Sequence, residues 1–332
     1  MGLHHRDIWH QEIMGYKMKT ILKTPTLLSV LICTAITSHV AHAQSNDSWG
    51  LLSPTISAYS DNDQFKAVKA GVGLLPIYKD GQHFTGIQAL HHSYEQYEWK
   101  KDASQVSLVS ESIDPKNGLG HKVNLGVNQL GNHTLVNADM NYAMSLREGT
   151  NAELFYNRDW VETRQSLDNG IKYDYYGGSL EQRLSERWTV IGLLGQHRFS
   201  DNNTRNHLRG KLIYDLLPDQ GINLQLRHRQ YRSSQQESTG NYFNPNKYEE
   251  QMVAVAMRQK VQSWILSGLI GVGRQKVNED PRTSTHLYEL EANSPITKSV
   301  VFKSKLGYGQ SATFNGPDYK YRYLNTSLIF SF

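Results

Sequence analysis

Charged and amide side chains recur at every second position in several segments, a spacing that places them on one face of a β-strand. Such a row can hydrogen-bond a hydrated solute weakly and repeatedly, which is the chemistry of a solute path. The residues predicted to line this path are Asp139, Arg227, Arg229, Glu289, Glu291, Lys303 and Lys305. The two glutamates face the two lysines in one hairpin, so cross-strand pairing is expected. An ordinary salt-bridge role for each charge remains the alternative.

Fourteen histidines raise the question of catalysis or metal binding. The G-x-S-x-G nucleophile elbow and the H-E-x-x-H zinc motif are both absent. His91, His92 and His228 are better explained as polar residues of a rim or a lumen. Segment 61–63 resembles an oxygen-rich calcium loop but lacks the glycine and the distant glutamate of an EF-hand, so turn chemistry is favoured. We therefore predict no enzymatic activity, no metal site and no cofactor.

The C-terminal segment indicates which kind of element positions these residues. Between 319 and 332, one strand face carries Leu324, Leu328, Phe330 and Phe332, and the other face is mostly polar. This alternation, ending on an aromatic residue, is typical of a lipid-facing strand in an outer-membrane barrel. We predict that Phe330 and Phe332 form the signal recognised by the barrel-assembly machinery.

Alternation and turn residues together divide the chain into about sixteen strands of a length that suits a membrane barrel. The predicted strands are 50–59, 65–76, 82–92, 97–111, 120–130, 133–144, 151–160, 172–183, 187–198, 204–216, 221–232, 247–258, 261–274, 284–293, 297–309 and 319–332. The predicted fold class is therefore all-β: a transmembrane antiparallel β-barrel of about 16 strands, surrounded by outer-membrane lipid and closed by the C-terminal strand.

An even strand number with both termini in the periplasm places connections after odd-numbered strands outside the cell. Long outside loops are predicted at 161–171, 233–246, 277–283 and 311–318, and tight turns at 184–186, 218–220, 294–296 and near 261. No inward-folding constriction loop is evident, the longest candidate being 233–246. Trp188 and Trp264 follow periplasmic turns, where an aromatic girdle is expected.

The N-terminal segment predicts export from the cytoplasm. Met18 begins a charged stretch that is followed by an apolar run and by Ala41-His42-Ala43, the pattern of a secretory signal. We expect a misassigned start at 1–17, a signal peptide at 18–43, a periplasmic lead at 44–49 and the barrel at 50–332. The single cysteine, Cys33, lies in the signal, so the mature chain has no disulfide. Of 35 basic and 31 acidic residues, four and two precede position 44, and the near-neutral remainder gives no reason to expect nucleic acid.

Several short motifs lie between residues 150 and 332, among them Arg-Asp-Trp-Val-Glu-Thr at 158–163 and Tyr-Phe-Asn-Pro-Asn-Lys-Tyr at 242–248. Others occupy 166–171, 199–205 and 212–216. They resemble the C-terminal barrels of exopolysaccharide export porins: the secretins for cellulose and poly-N-acetylglucosamine, and related phage-adsorption barrels. The resemblance implies a sixteen-stranded barrel through which a polysaccharide leaves the cell. Family members usually carry a periplasmic tetratricopeptide domain, and no 34-residue repeat occurs here. Either a separate periplasmic scaffold protein is a partner, or the barrel has left the secretion role.

The motif at 242–248 also supplies candidate contact residues in an outside loop. The rings of Tyr242, Phe243 and Tyr248 could stack on sugar rings, whose C–H groups suit an aromatic face. The simpler alternative is that Pro245 rigidifies the loop and the rings pack against the barrel mouth.

The sequence thus predicts an outer-membrane porin-like conduit, with export of a surface polysaccharide as its function. The alternative is a structural or receptor barrel with a closed lumen, whose outside loops bind a phage or a partner. Lumen packing distinguishes the two, because inward Arg and Glu pairs narrow a path that Gly and Ser leave wide. A general diffusion porin is less favoured, since no constriction loop is evident.

Overall fold

The structure is a computed structural model that describes residues 48–235, 242–297, 299–313 and 316–332. These residues form one closed antiparallel sheet of sixteen strands, in which each strand pairs with its sequence neighbours and β16 pairs with β1. The predicted fold class is confirmed. The expected signal peptide lies outside the described residues. The strands are β1 (Ser48–Asp61), β2 (Lys66–Asp80), β3 (His83–Gln96), β4 (Trp99–Ile113), β5 (Gly120–Leu130), β6 (His133–Arg147), β7 (Thr150–Trp160), β8 (Lys172–Arg183), β9 (Trp188–Phe199), β10 (Thr204–Leu217), β11 (Ile222–Ser233), β12 (Lys247–Val261), β13 (Trp264–Val277), β14 (Thr283–Asn293), β15 (Val300–Thr313) and β16 (Gly316–Ser331).

Alternation along each strand separates an apolar outer face from a mostly polar inner face. Outward side chains such as Val106, Val136 and Ile270 are 58%, 58% and 60% exposed. Their sequence neighbours Gln105 and Asn137 point inward and are buried. Exposed aliphatic residues recur in this way on the outer face around the barrel, so it carries the apolar belt that suits a hydrocarbon environment.

Aromatic residues mark one edge of this belt. Trp188 and Trp264 begin β9 and β13 and are 41% and 37% exposed. The indole of Trp188 lies 4.7 Å from the ring of Tyr214, and that of Trp264 lies 5.9 Å from Phe302. These positions fit the predicted girdle. No helix among the described residues is long and apolar enough to cross a bilayer.

We call the end with the connections after odd-numbered strands the loop end, and the opposite end the turn end. The loop end carries the connection 161–171 with helix α1 (Arg164–Asn169), and the turn end carries a short 3-10 helix at Pro218–Gln220. The long loop predicted at 311–318 is wrong, because the β15–β16 ladder continues to the pair Thr313–Gly316 beyond a register shift. The contrast of long and short connections is also incomplete, since residues 97–98 alone join β3 to β4 at the loop end.

Candidate functional site: the barrel lumen

Strand β7 leaves the barrel wall near the loop end. Its ladder with β6 stops at the pair Ala138–Arg158, whereas its ladder with β8 continues to Trp160. The indole of Trp160 turns to the inner face, where its Nε1 donates to Asn128 Oδ1 at 3.2 Å. Connection 161–171 therefore starts inside the lumen, and we call it the inner loop.

Helix α1 gives the inner loop its shape. The Oγ1 of Thr163 accepts from the backbone N–H of Ser166 at 3.3 Å and caps the helix N-terminus. Gly170 ends the helix in the left-handed region at φ 62°, which a residue without a Cβ adopts at little cost. The N–H of Ile171 then donates to the carbonyl of Ser166 at 2.8 Å. Both helix ends are thus satisfied within the loop.

Leu167 packs this helix against the inner wall of the barrel. Its side chain is fully buried in a cluster whose other members lie at separate positions between Phe65 and Trp160. Burial of one leucine contributes about 1.5–3 kcal/mol, so packing is a main support of the loop. The other members of the cluster are Phe65, Ala67, Tyr94, Ala103, Leu130, Leu135 and Trp160.

Ion pairs add to this apolar contact. Lys69 on β2 places its Nζ 2.5 Å from Glu162 Oε1 and 3.4 Å from Asp159 Oδ2. Lys101 on β4 places its Nζ 3.1 Å from Asp168 Oδ1. Because β2 and β7 are five strands apart in the barrel order, these contacts cross the lumen rather than follow the sheet. The expectation that no loop folds inward is therefore wrong.

The segment after residue 241 also packs inside the mouth. Tyr242 is fully buried, and its ring stacks on Phe199 at 4.5 Å, in a cluster with Val161 and Ile171 of the inner loop. Burial raises the pKa of the Tyr242 hydroxyl well above its ordinary value. The neutral hydroxyl donates to Asp201 at 3.1 Å. The two loop segments thus meet over the lumen.

The other two predicted aromatic residues are also held inside. The backbone carbonyl of Phe243 accepts from Arg205 Nη2 at 2.5 Å. Tyr248 is 1% exposed, and its ring stacks on Tyr231 at 4.8 Å. These positions fit packing of the rings against the barrel mouth, and they leave no exposed ring of Tyr242 or Tyr248 for a sugar.

Most of the predicted path charges lie on the inner face between β11 and β15. Arg229 Nη2 lies 3.0 Å from Glu250 Oε2, with the side chains only 11% and 14% exposed. Lys305 Nζ lies 3.2 Å from Glu289 Oε1, and Tyr323 of β16 donates to the same carboxylate. Arg227 and Glu291 share this inner face. This part of the lumen is packed with side chains whose charges offset one another, and we call it the packed wall.

At the turn end, contacts join the two edges of the sector that runs from β14 through β16 and β1 to β4. Lys303 Nζ on β15 lies 2.8 Å from Glu111 Oε1 on β4, five strands away in the barrel order. The N–H of Gly81 donates to the carbonyl of Ile296 at 2.8 Å, so two turns meet beneath the lumen. An apolar cluster fills the space between them, formed by Leu52, Leu75, Tyr78, Val109, Val301 and Ile329.

The wall of β5 to β8 differs, because several of its inward side chains are polar and exposed or half-buried, although Phe155 and Tyr175 of the same wall are buried aromatic residues. Asp139 is exposed although it faces inward, opposite Asn124 and Asn157. Glu153 accepts from Asn141, and both are half-buried. We call this strip the polar lane. Its residues are Asn124, Asp139, Asn141, Glu153, Asn157, Ser179 and Glu181.

The polar lane leads toward the inner loop. From Asp139 toward the loop end, the inward residues Asn137 and Leu135 of β6 are buried, as are Asn128 and Leu130 of β5. Leu130 and Leu135 belong to the cluster that holds Leu167. The inner loop therefore covers the lane toward the loop end.

The predicted site residues are split between two walls. Asp139 lies in the polar lane, whereas Arg227, Arg229, Glu289 and Lys305 belong to the packed wall. Glu153, Glu162 and Leu167 were not identified as site residues. A signal existed for the last of these: Val161, Leu167 and Ile171 are apolar residues in a connection expected to be exposed to water.

The predicted assembly signal lies on the outer face of β16 and at the chain end. Phe330 and Phe332 are 37% and 54% exposed. The backbone of Phe332 exchanges two hydrogen bonds with Trp49, at 2.9 and 3.1 Å. Both aromatic side chains therefore face the surroundings at the seam between β16 and β1.

Comparison with known proteins indicates the fold of the chain. No family model and no curated protein matches it. A solved structure described as a bacterial polysaccharide outer membrane secretin is 10% identical, with a TM-score of 0.61 over 87% of this chain and 99% of that chain. An anion-selective porin from Comamonas acidovorans is 10% identical, with a TM-score of 0.37 over 86% and 98%. The outer membrane protein OprD from Pseudomonas aeruginosa is 10% identical, with a TM-score of 0.41 over 87% and 94%. The first of these likenesses shows that the chain shares the fold of that structure.

Proposed function

We propose that this protein is a porin-like conduit of the outer membrane, and that its cargo is a surface polysaccharide. The observation that carries the proposal is the polar lane, where Asp139 faces the lumen and is still exposed to water. A purely structural barrel would not need a hydrated strip on one inner wall.

The chemistry of the lane suits a chain of sugars. The amides of Asn124, Asn141 and Asn157 can donate and accept hydrogen bonds, and the carboxylates of Asp139 and Glu153 can accept them from hydroxyl groups. Each such contact is weak in the presence of water, so a polymer can move from one to the next. The fold likeness to a structure described as a polysaccharide secretin supports this choice of cargo.

Passage along the lane requires the inner loop to move. A polymer that enters from the turn end reaches Asp139 and then meets the loop segment anchored by Leu167. The loop is held by side-chain packing, hydrogen bonds and ion pairs rather than by sheet ladders, so its displacement leaves the barrel intact. A separate periplasmic protein would deliver the polymer to the turn end.

Single-channel recording in a planar bilayer tests this proposal. The purified protein should give small, interrupted currents, and oligosaccharides of β-linked glucose or N-acetylglucosamine should shorten the open times. Asn124→Ala combined with Asn157→Ala should weaken this sugar block. Asn117→Ala, in the exposed β4–β5 turn, provides the matched control and should leave it unchanged. A folded barrel that inserts but never conducts would exclude the conduit.

A closed receptor or structural barrel is the second candidate. It is favoured by the packed wall and by the pair Lys303–Glu111 across the turn end. In that case, the loop end would bind a phage or a partner protein, and sugars would have no effect on a silent barrel.

A further inference from the structure

The outer faces of β11, β12 and β13 change abruptly from apolar to cationic toward the loop end. Leu226, Val253 and Val272 form one register row and are 51%, 47% and 57% exposed. The next row contains His228, Gln251 and Arg274, and the row after it contains Gln230, Glu249 and Lys276. Arg232 and Lys247 pair directly beyond them.

Five cations are gathered on this surface, which we call the outer cationic patch. They are Arg232, Lys247, Arg274, Lys276 and Arg282. Two carboxylates offset part of this charge. Glu249 lies 3.5 Å from both Lys247 and Arg282, and Glu279 lies 3.5 Å from Lys276. The patch therefore keeps a surplus of positive charge.

Two members of the patch increase this surplus. Neither Arg232 nor Arg274 forms an ion pair with any residue in the described part of the chain, and both are exposed. Arg232 also lies directly opposite Lys247 in the ladder, and like charges in that position repel. An external anion between the strands would relieve this repulsion.

Some cations on other outer sectors at the same end are neutralised by ion pairs. Lys100 is paired with Glu95 at 2.6 Å on the outer face of β3 and β4. Arg158 is paired with Asp174 at 2.6 Å on β7 and β8. These two cations have ion-pair partners within the protein, unlike Arg232 and Arg274.

We infer that the outer cationic patch binds the phosphorylated headgroup of an anionic lipid, whose acyl chains cover Leu226, Val253 and Val272. Arg274 is two residues beyond Val272, which places it roughly 7 Å above the apolar row, at the depth of a headgroup. Three adjacent strands span about 10 Å, the width of one phosphorylated sugar headgroup. Arginine and lysine are the side chains that bind phosphate best. This inference rests on the membrane location proposed above, but it does not require a conducting lumen.

Native mass spectrometry of the full-length protein released from bilayer discs tests the inference. The discs contain a neutral phospholipid and a small share of a diphosphorylated disaccharide lipid. We expect the triple variant Arg232→Gln, Arg274→Gln, Lys276→Gln to retain at least fivefold less of the disaccharide lipid. The control variant Lys66→Gln, Lys79→Gln, Lys116→Gln removes three exposed cations elsewhere and should retain the normal amount.

Two further arms identify the source of the phosphate. The same lipid without its phosphates should bind the unaltered protein as weakly as the triple variant binds the full lipid. Inorganic phosphate at millimolar concentration should not displace the lipid. Equal lipid retention by the triple variant and the unaltered protein, or displacement by inorganic phosphate, would overturn the inference. A protein that fails to enter the discs would instead contradict the proposed membrane function.

Discussion

Lys69 on β2 and Glu162 in the inner loop form an ion pair of 2.5 Å between parts of the chain that are five strands apart in the barrel. The pair is partly exposed, at 24% and 20%, so water screens it and its expected contribution is about 0.5–1 kcal/mol. A double-mutant cycle with Lys69→Met and Glu162→Gln, measured by urea unfolding in detergent micelles, should give a coupling energy of about that size. Strictly additive effects would show that the pair does not hold the loop.

Leu167 provides the apolar part of the same attachment. Leu167→Ala should destabilise the docked loop by about 2–5 kcal/mol, because the cavity lies in a fully buried cluster. The sixteen ladders do not depend on this residue, so the barrel should stay folded. We expect faster protease cleavage within 161–171 and larger single-channel currents. Leu167→Met keeps the volume and serves as the control. Unchanged cleavage and current in Leu167→Ala would mean that the loop does not restrict the lumen.

The charge at Asp139 should influence which ions pass. Asp139→Lys places a cation in the polar lane and should shift the ratio of potassium to chloride permeability toward chloride at least threefold. Asp102→Lys makes the same change on the outer face, where the side chain is 62% exposed, and should shift it little. Reversal potentials in a salt gradient measure both variants. Equal shifts in the two variants would place the ion path outside the lane.

The apolar belt makes a prediction about stability in lipid. Leu226→Arg places a cation in the last apolar row below the cationic rows, between midplane and interface, and should cost about 1–2 kcal/mol of unfolding free energy in vesicles. Gln230→Arg lies two rows higher on the same strand and should cost less than about 1 kcal/mol. Urea titration of vesicle-embedded protein compares them. A similar cost at both positions would contradict a membrane boundary between the rows of Leu226 and Gln230.

The fold could be predicted from the sequence because a barrel strand has a local signature. Alternation with period two, punctuated by turn residues, gave all sixteen strands to within a few residues, as for the predicted 120–130 and the observed Gly120–Leu130. The inward direction of Glu289 and Lys305 follows from the same parity, and so does their pairing. The face on which a strand residue lies follows from its odd or even position along the strand, which requires no knowledge of the rest of the molecule.

The contents of the lumen could not be predicted in this way. Lys303 was expected beside Glu289 and Glu291, but it pairs with Glu111, which is 192 positions away in sequence. The inward course of β7 likewise depends on contacts of Leu167 with β2 to β6. Such contacts depend on the cross-section of the closed barrel, which no local pattern encodes.

Closure of the barrel by β1 and β16 also governs how the molecule is made. Ser60 and Arg322 are hydrogen-bonded neighbours at 2.8 Å, yet they are 262 positions apart in sequence. Contacts between residues so far apart in sequence form late, since the two ends of a long disordered span must be brought together first. Until β16 is synthesised, β1 presents an unpaired edge on which another chain can align. The growing chain must therefore be shielded from self-association until its final residues arrive, and losing those few residues would leave a sheet with two reactive edges instead of none.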